Sequence, residues 1–290
     1  MLSASFGDRV GPARPDRSSP DLREASGWGR WRLKVTHRDV VLAHLPPALD
    51  GFRMVQISDL HLEPFTKPKH ILQVVAACTA LAPDLVVMTG DFVTHSAHSI
   101  GLLAELLGPL QPPYGVHACL GNHDFWCDPV AVEKALQERN LGVLRNETRR
   151  IHTDRGVLQL AGMDSRYIGK LDLRATLANV NVKEPLVILM HEPDVVDELA
   201  AAGLEALQLS GHTHGGQLRF LDHTPMAFRR PRWGKNYLAG HYKVGSMQLY
   251  VNRGIGCVGV PLRVSCPPEI TEITLRSPLL HRDPTVFPLA

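Results

Sequence analysis

Two aspartates, one asparagine and four histidines fall in five short polar clusters: Asp59 with His61, Asp91 after Gly90, Asn122 within Gly121 to Asp124, His191 alone, and His212 with His214 after Gly211. All offer nitrogen or oxygen donors and none a thiolate, which is the chemistry of metal ligation. Seven such ligands are too many for one tetrahedral ion. They suit two ions that share a bridging carboxylate, each keeping open positions for water and substrate. Two divalent ions bring about +4 and two aspartates remove two, leaving roughly +2 for a hydroxide and an anionic guest. A phosphate ester fits that balance.

The segments before these clusters explain how scattered positions converge. Phe52 to Ser58, Asp84 to Thr89, Val116 to Leu120, Pro185 to Met190 and Ala206 to Ser210 are short apolar runs of buried-strand type. Between the first three, Pro68 to Leu81 and Ile100 to Leu107 have helical apolar spacing, which predicts strand, helix, strand units with parallel strands. Asp194 to Ala202 reads as a further helix with Asp194 at its N-cap. From Tyr237 the pattern changes to short strands, Met247 to Val251 and Glu269 to Leu275, without a helix between them. Every polar cluster follows the carboxyl end of a predicted strand, the edge where open α/β sheets bind ligands.

Asp59-Leu60-His61, Gly90-Asp91, Gly121-Asn122-His123-Asp124, His191 and Gly211-His212-Thr213-His214 resemble, in type and order, the motifs of the calcineurin-like metallophosphoesterase superfamily, over about residues 52–276. A lone Asp-x-His arises by chance on the order of once in a chain this long, but the ordered set does not. Within the superfamily, Gly211 to Gln217 and Pro267-Pro268-Glu269-Ile270 are similar to the bacterial YaeI-like and YkuE-like phosphodiesterase branch. The resemblance implies an α/β (α+β) fold, a four-layer α-β-β-α sandwich with its metal site at the carboxyl ends of the strands. It implies Asp59, His61 and His214 at one metal, Asn122, His191 and His212 at the other, and Asp91 bridging. It gives His123 a different role, contacting the phosphoryl group or protonating the leaving oxygen, with Asp124 either orienting it or serving as a turn residue. His95, His98, His117, His152, His223 and His241 match no motif position.

Gly90, Gly121 and Gly211 stand where a strand must turn sharply and the backbone must approach the ions; Gly215 and Gly216 do the same beside substrate or form a plain turn. Phe228, Arg229, Arg230, Pro231, Arg232, Trp233 and Lys235 place four cations together with no acid. That segment is either a solvated basic loop or a contact for an anionic head group, nucleotide or membrane surface. Trp28, Arg30, Trp31 and Arg32 have the same character, although Trp31 also suits the first core residue.

Composition narrows the classes. The 290 residues are 44% hydrophobic and 21% charged, which excludes disorder and coiled coil for most of the chain. Thirty-one Lys and Arg against 29 Asp and Glu give a net charge of +2, too weak a field to favour nucleic acid or membrane globally. Ile71 to Ala82 and Leu186 to Met190 are too short to span a bilayer, and residues 1–23 lack the apolar stretch of an export signal. Five cysteines cannot all pair, and Cys78 and Cys119 sit in apolar runs, which fits a reducing compartment. The expected organisation is a tail over 1–30, one phosphoesterase domain over 31–280 and a tail over 281–290. The expected cofactors are two divalent ions among manganese, iron, zinc and cobalt. The expected activity is hydrolysis of a phosphodiester or pyrophosphate by a metal-bridged hydroxide, on a substrate such as the lipid-linked UDP-2,3-diacylglucosamine that some relatives cleave. Alternatives of the same fold are a nuclease, a phosphomonoesterase or a non-catalytic metal-binding scaffold. The expected location is cytoplasmic, with peripheral contact to anionic inner membrane through Arg229, Arg230, Arg232, Trp233 and Lys235.

Overall fold

Alternation along the apolar runs decides the architecture. On β3 (Leu85–Thr89), Leu85 and Val87 enter one core while Val86 and Met88 enter another. On β8 (Leu186–Leu189), Val187 and Leu189 share that first core, and Leu186 and Ile188 face a third. Successive residues of a strand point to opposite faces, so two covered faces turn the pattern into an unbroken apolar run. The shared core lies between two sheets, and the other two lie between each sheet and its helices. At about 2 kcal/mol for each fully buried aliphatic side chain, this burial is the main force holding the layers together.

The protein is described by a computed structural model over residues 31–219 and 236–281. Its first sheet runs in the order β1 (Lys34–Val41), β12 (Glu269–Arg276), β2 (Arg53–Ile57), β3, β4 (Val116–Cys119), β5 (Leu141–Val143). Strands β2 to β5 are parallel, and β12 is antiparallel to β2 and parallel to β1. The second sheet runs β10 (Gly240–Val244), β11 (Met247–Val251), β9 (Leu207–Ser210), β8, β7 (Gly156–Gly162), β6 (Glu147–Thr153). Its four central strands are parallel and its edges antiparallel. Helices α1 (Pro68–Leu81), α2 (Ile100–Leu107) and α4 (Pro129–Gln137) cover the first sheet; α5 (Leu173–Leu177) and α6 (Val195–Ala201) cover the second. The short α3 (Asn122–Cys127) starts directly after β4.

Helix α1 shows how local sequence sets an element. Ile71, Val74, Val75 and Cys78 repeat on one face and are buried, and Pro68 occupies the first turn, where its missing N–H costs nothing. The helix stops at Ala82, which turns left-handed ahead of Pro83. The α1 and α2 bounds are those that the apolar spacing predicts. Asp194 precedes α6 as expected, but its carboxylate makes no capping bond into the helix. All five cysteines are free, and burial pushes the Cys78 thiol up to about 12, leaving it chemically inert. Trp31 packs against the core between the first sheet and its helices and stacks on His70 at 4.5 Å, so it is a core-edge residue. Trp28 and Arg30 lie outside the described residues.

Candidate metal centre

The carboxyl ends of β2, β3, β4, β8 and β9 meet at one edge of the sandwich. Gln56 ties the two sheets together there, donating to the Ser210 carbonyl and the Thr89 hydroxyl, each at 3.0 Å. The loops after β2 and β3 are zipped by N–H bonds from Asp59 to the Gly90 carbonyl (2.9 Å) and from His61 to the Asp91 carbonyl (3.0 Å). To aim side chains inward from these tight turns, Asp59, His61, Asp91, His212 and His214 all take left-handed backbone, with φ between 45° and 72°. Non-glycine residues hold that conformation at a cost of about 1–3 kcal/mol each, and such strain clusters at functional sites. Gly90 is required outright: its φ is +86°, and a Cβ there would strike the Gly121 backbone and the His191 ring. A Cβ on Gly211 would strike the Ser58 and Asp59 side chains.

The seven expected ligands form two groups that meet at Asp91. Ligand atoms of Asp59, His61, Asp91 and His214 lie within 4.8 Å of one another. Nε2 of His214 is 3.3 Å from Asp59 Oδ1, and the His212 N–H donates to both Asp59 oxygens at 3.1 Å. In the other group, His212 Nδ1 lies 2.8 Å from Asn122 Oδ1, and the His191 and His212 rings stand edge to face at 5.0 Å. Oδ2 of Asp91 lies between the groups, 3.3 Å from His61 Nε2 and 3.2 Å from His191 Nε2.

The donor set fits divalent cations. The Nε2 atoms of His61 and His191 are buried with no hydrogen-bond partner among the described residues. Their tautomers follow from the opposite nitrogens. His191 Nδ1 faces the Thr89 carbonyl at 2.6 Å and must donate to it. His61 Nδ1 faces Thr94 Oγ1 at 3.3 Å, whose own proton goes to the Glu63 carbonyl, so this nitrogen donates as well. When neutral, both rings turn an Nε2 lone pair on the Asp91 carboxylate, an arrangement that only positive charge there relieves, whether a proton on Nε2 or a metal ion between the two groups. The electrostatics agree. Burial opposes ionisation of Asp91, but the nearby His191 and His61 rings outweigh it and hold its carboxyl well below the usual range. Burial likewise opposes the His191 cation, and the Asp91 carboxylate overrides it and raises that imidazole well above its ordinary value. Burial raises Asp59, and burial followed by the His61 and Arg263 charges holds His214 well below its ordinary value.

His123 stands beside the first group, its ring 4.8 Å from that of His61 and at right angles to it. The Thr94 carbonyl accepts from His123 Nδ1 at 2.6 Å, and the His123 N–H donates to Asp91 Oδ1 at 2.8 Å. The expectation that Asp124 orients the imidazole is therefore corrected. Asp124 Oδ2 accepts N–H bonds from Asp91 (2.9 Å) and Gly121 (2.8 Å), and Oδ1 accepts from Phe92 (2.8 Å) and Val93 (3.3 Å). Asp124 holds two ligand loops together, and Thr94 takes the orienting role.

Sequence reasoning missed Thr94, the Thr89 carbonyl and Arg263. The Arg263 guanidinium lies 3.3 Å from His214 Nδ1 and also donates to the Arg253 and Gly256 carbonyls. Among the histidines outside the motifs, His95 is exposed with its ring 6.1 Å from that of His123, and His117 is buried against the Tyr114 carbonyl. His98 and His152 are exposed, and His241 contacts Gln248. His223 and the basic segment Phe228, Arg229, Arg230, Pro231, Arg232, Trp233 and Lys235 lie outside the described residues. No helix among the described residues is long and apolar enough to cross a membrane.

Comparison with known proteins agrees with this geometry. Residues 52–216 match the family model described as calcineurin-like phosphoesterase. An uncharacterized metallophosphoesterase of Bacillus subtilis, YkuE, is 34% identical over 251 residues, covering 84% of this chain and 86% of that one. The phosphodiesterase YaeI of Escherichia coli is 31% identical over 254 residues, covering 84% and 88%. A zebrafish transmembrane protein with a metallophosphoesterase domain is 30% identical over 84% of this chain, which spans 57% of that protein. With more than half of its length matched by the family model and relatives this similar along most of both chains, the chain belongs to the calcineurin-like phosphoesterase family, the metal-dependent hydrolases of phosphoric esters.

Proposed function

We propose that the chain hydrolyses phosphodiesters or pyrophosphates at a two-metal centre, with Asp59, His61 and His214 holding one ion, Asn122, His191 and His212 the other, and Asp91 bridging. The observation that carries this reading is the position of Asp91 Oδ2, within 3.3 Å of Nε2 on both His61 and His191. Divalent ions held there supply Lewis acidity and make a hydroxide nucleophile accessible near neutral pH. The chain supplies the rest. Thr89 and Thr94 fix the tautomers that turn the histidine lone pairs inward, and Asp124 keeps the Asp91 and Asn122 loops in register. His123 donates Nδ1–H to Thr94, so in its cation Nε2–H is left to donate to the phosphoryl oxygen or to protonate the departing one. Burial lowers the His123 pKa, partly offset by the Asp91 charge, so its cation is a better acid near neutral pH than an exposed histidine.

The diester preference draws support from the relative named a phosphodiesterase. The test is hydrolysis of chromogenic phosphodiesters and monoesters by the purified chain, after exhaustive chelation and after reloading with manganese, iron, zinc or cobalt, alongside elemental analysis. The reading requires activity that is lost with the metal and regained with it, greater on diesters than on monoesters. Undiminished turnover in metal-free protein refutes it. The lipid-linked substrate and the membrane contact rest on the basic segment 228–235, and a vesicle-binding experiment below tests them.

A further inference from the structure

Beside the metal centre lies a surface that hydrolysis of a bare phosphodiester does not require. Trp126, in the last turn of α3, sets its ring 4.7 Å from that of His123, and the Tyr167 ring follows at 5.7 Å and 82° to Trp126. Trp126, Tyr167 and their neighbour Ile168 are 48%, 43% and 44% exposed. Single exposed apolar residues are ordinary, but a contiguous group beside a catalytic site marks a binding surface. We propose that Trp126, Tyr167 and Ile168 form a shelf that receives a planar aromatic group of the phosphoester substrate, an inference that rests on the phosphoesterase reading above.

Tyr167 and Ile168 belong to the loop after β7. That strand is parallel to β8, so its carboxyl end opens on the same edge as the metal ligands. The loop is held firmly. Glu192, buried next to His191, accepts from the Ser165 hydroxyl and from the N–H groups of Arg166 (3.2 Å) and Tyr167 (3.4 Å). Arg145 grips Asp164 through two bonds of 2.9 Å, and a Cβ on Gly169 would strike the Ser165 backbone and the Phe125 ring of α3. Burying a carboxylate is costly without such bonds. Here the bonds fix a loop whose end product is an exposed tyrosine, which adds nothing to the core.

The geometry points to a flat ring rather than an alkyl chain. Two perpendicular rings offer one face and one edge, and a planar π-system stacks on the first while meeting the second edge to face. An alkyl chain on a half-open shelf gains only contact area. The path is continuous: His123 lies 4.8 Å from His61 on one side and 4.7 Å from Trp126 on the other. A substituent on a phosphoryl group held at the metals therefore passes His123 and meets the shelf. A nucleobase and a simple aryl ester share this chemistry.

The test is calorimetric titration of the metal-loaded full chain with phenylphosphonate, methylphosphonate and inorganic phosphate, for wild type, Trp126→Ala and Tyr167→Ala, which needs no turnover. Wild type should bind phenylphosphonate about tenfold more tightly than methylphosphonate, the scale of one ring stacked on an aromatic side chain. Each variant should lose most of that preference. Adenosine monophosphate bound more tightly than ribose phosphate, by a factor that Trp126→Ala abolishes, identifies a nucleobase; the phenyl preference without it identifies an aryl group. The proposal fails if wild type shows no phenyl preference, if both variants keep it, or if Trp126→Ala weakens every ligand equally. Tighter, Trp126-dependent binding of octylphosphonate than of phenylphosphonate also overturns it, in favour of a lipid chain. Phosphate that binds without any phenyl preference refutes the shelf alone; phosphate that does not bind at all refutes the phosphoesterase reading and the shelf with it.

Discussion

Asp124→Asn separates two roles for a carboxylate that follows His123 directly in sequence. In the structure each Asp124 oxygen accepts two backbone N–H groups, Asp91 and Gly121 on Oδ2 and Phe92 and Val93 on Oδ1. Asparagine keeps one oxygen and turns its NH2 on the other pair of donors. Two buried N–H groups then lose their acceptor, at about 1–3 kcal/mol each, so the variant should be destabilised by about 2–6 kcal/mol. For a domain of this size 1 kcal/mol moves Tm by about 2–4 °C, which predicts a fall of about 4–24 °C. The freed backbone carries Asp91 and adjoins Asn122, so metal content should fall as well. The assay is a thermal melt at pH 8, with and without chelator, and elemental analysis of the same preparations. A melt within about 2 °C of wild type with full metal content, together with turnover reduced as in a His123 variant, refutes this reasoning and returns Asp124 to orienting the imidazole.

Asp91→Asn should lower metal content toward one ion or none and cost more activity than Asp59→Asn, because Asp91 is the carboxylate proposed to bridge both ions; two retained ions with normal turnover would mean that another group bridges. His123→Ala should leave metal content near wild type while lowering kcat by roughly 10² to 10⁴, less for good leaving groups; equal losses for aryl and alkyl leaving groups assign His123 to charge stabilisation. Burial, then the Asp197 charge, pushes the Asp194 carboxyl up to about 6. An acid raised in the folded state contributes stability that is fully present below its unfolded value of about 3.9 and is lost as pH rises through about 6. Asp194→Asn should therefore gain Tm relative to wild type between pH 4 and pH 7, and parallel Tm–pH curves would contradict the shift. Replacing Arg229, Arg230, Arg232 and Lys235 by Gln should abolish salt-sensitive binding to anionic vesicles if the segment meets membrane, since each cation is worth about 1 kcal/mol at such a surface; unchanged vesicle binding rules that contact out.

The candidate metal ligands are legible in the sequence because their chemistry resides in side-chain identity, and the buried strands because two covered faces leave an apolar run. Strand β1 is hidden: Lys34 to Val41 lies at a sheet edge, and the four polar residues Thr36 to Asp39 leave it with neither an apolar run nor a period-two pattern. Its partner is β12, with Lys34 opposite Glu269, a pairing across most of the chain that no local pattern encodes. The supporting bonds are hidden for a different reason. The Thr89 and Thr94 carbonyls that set the His191 and His123 tautomers are groups every residue carries, so only the fold selects them. Asp124 was misplaced by adjacency itself. His123 and Asp124 are successive residues of α3, and successive residues on a helix do not face each other. With the imidazole turned toward Thr94 and His61, the next side chain must point into the interior, where the N–H groups of Asp91, Phe92, Val93 and Gly121 are waiting for an acceptor. The same rotation, carried three residues further along α3, returns Trp126 to the His123 side and sets its ring beside the imidazole.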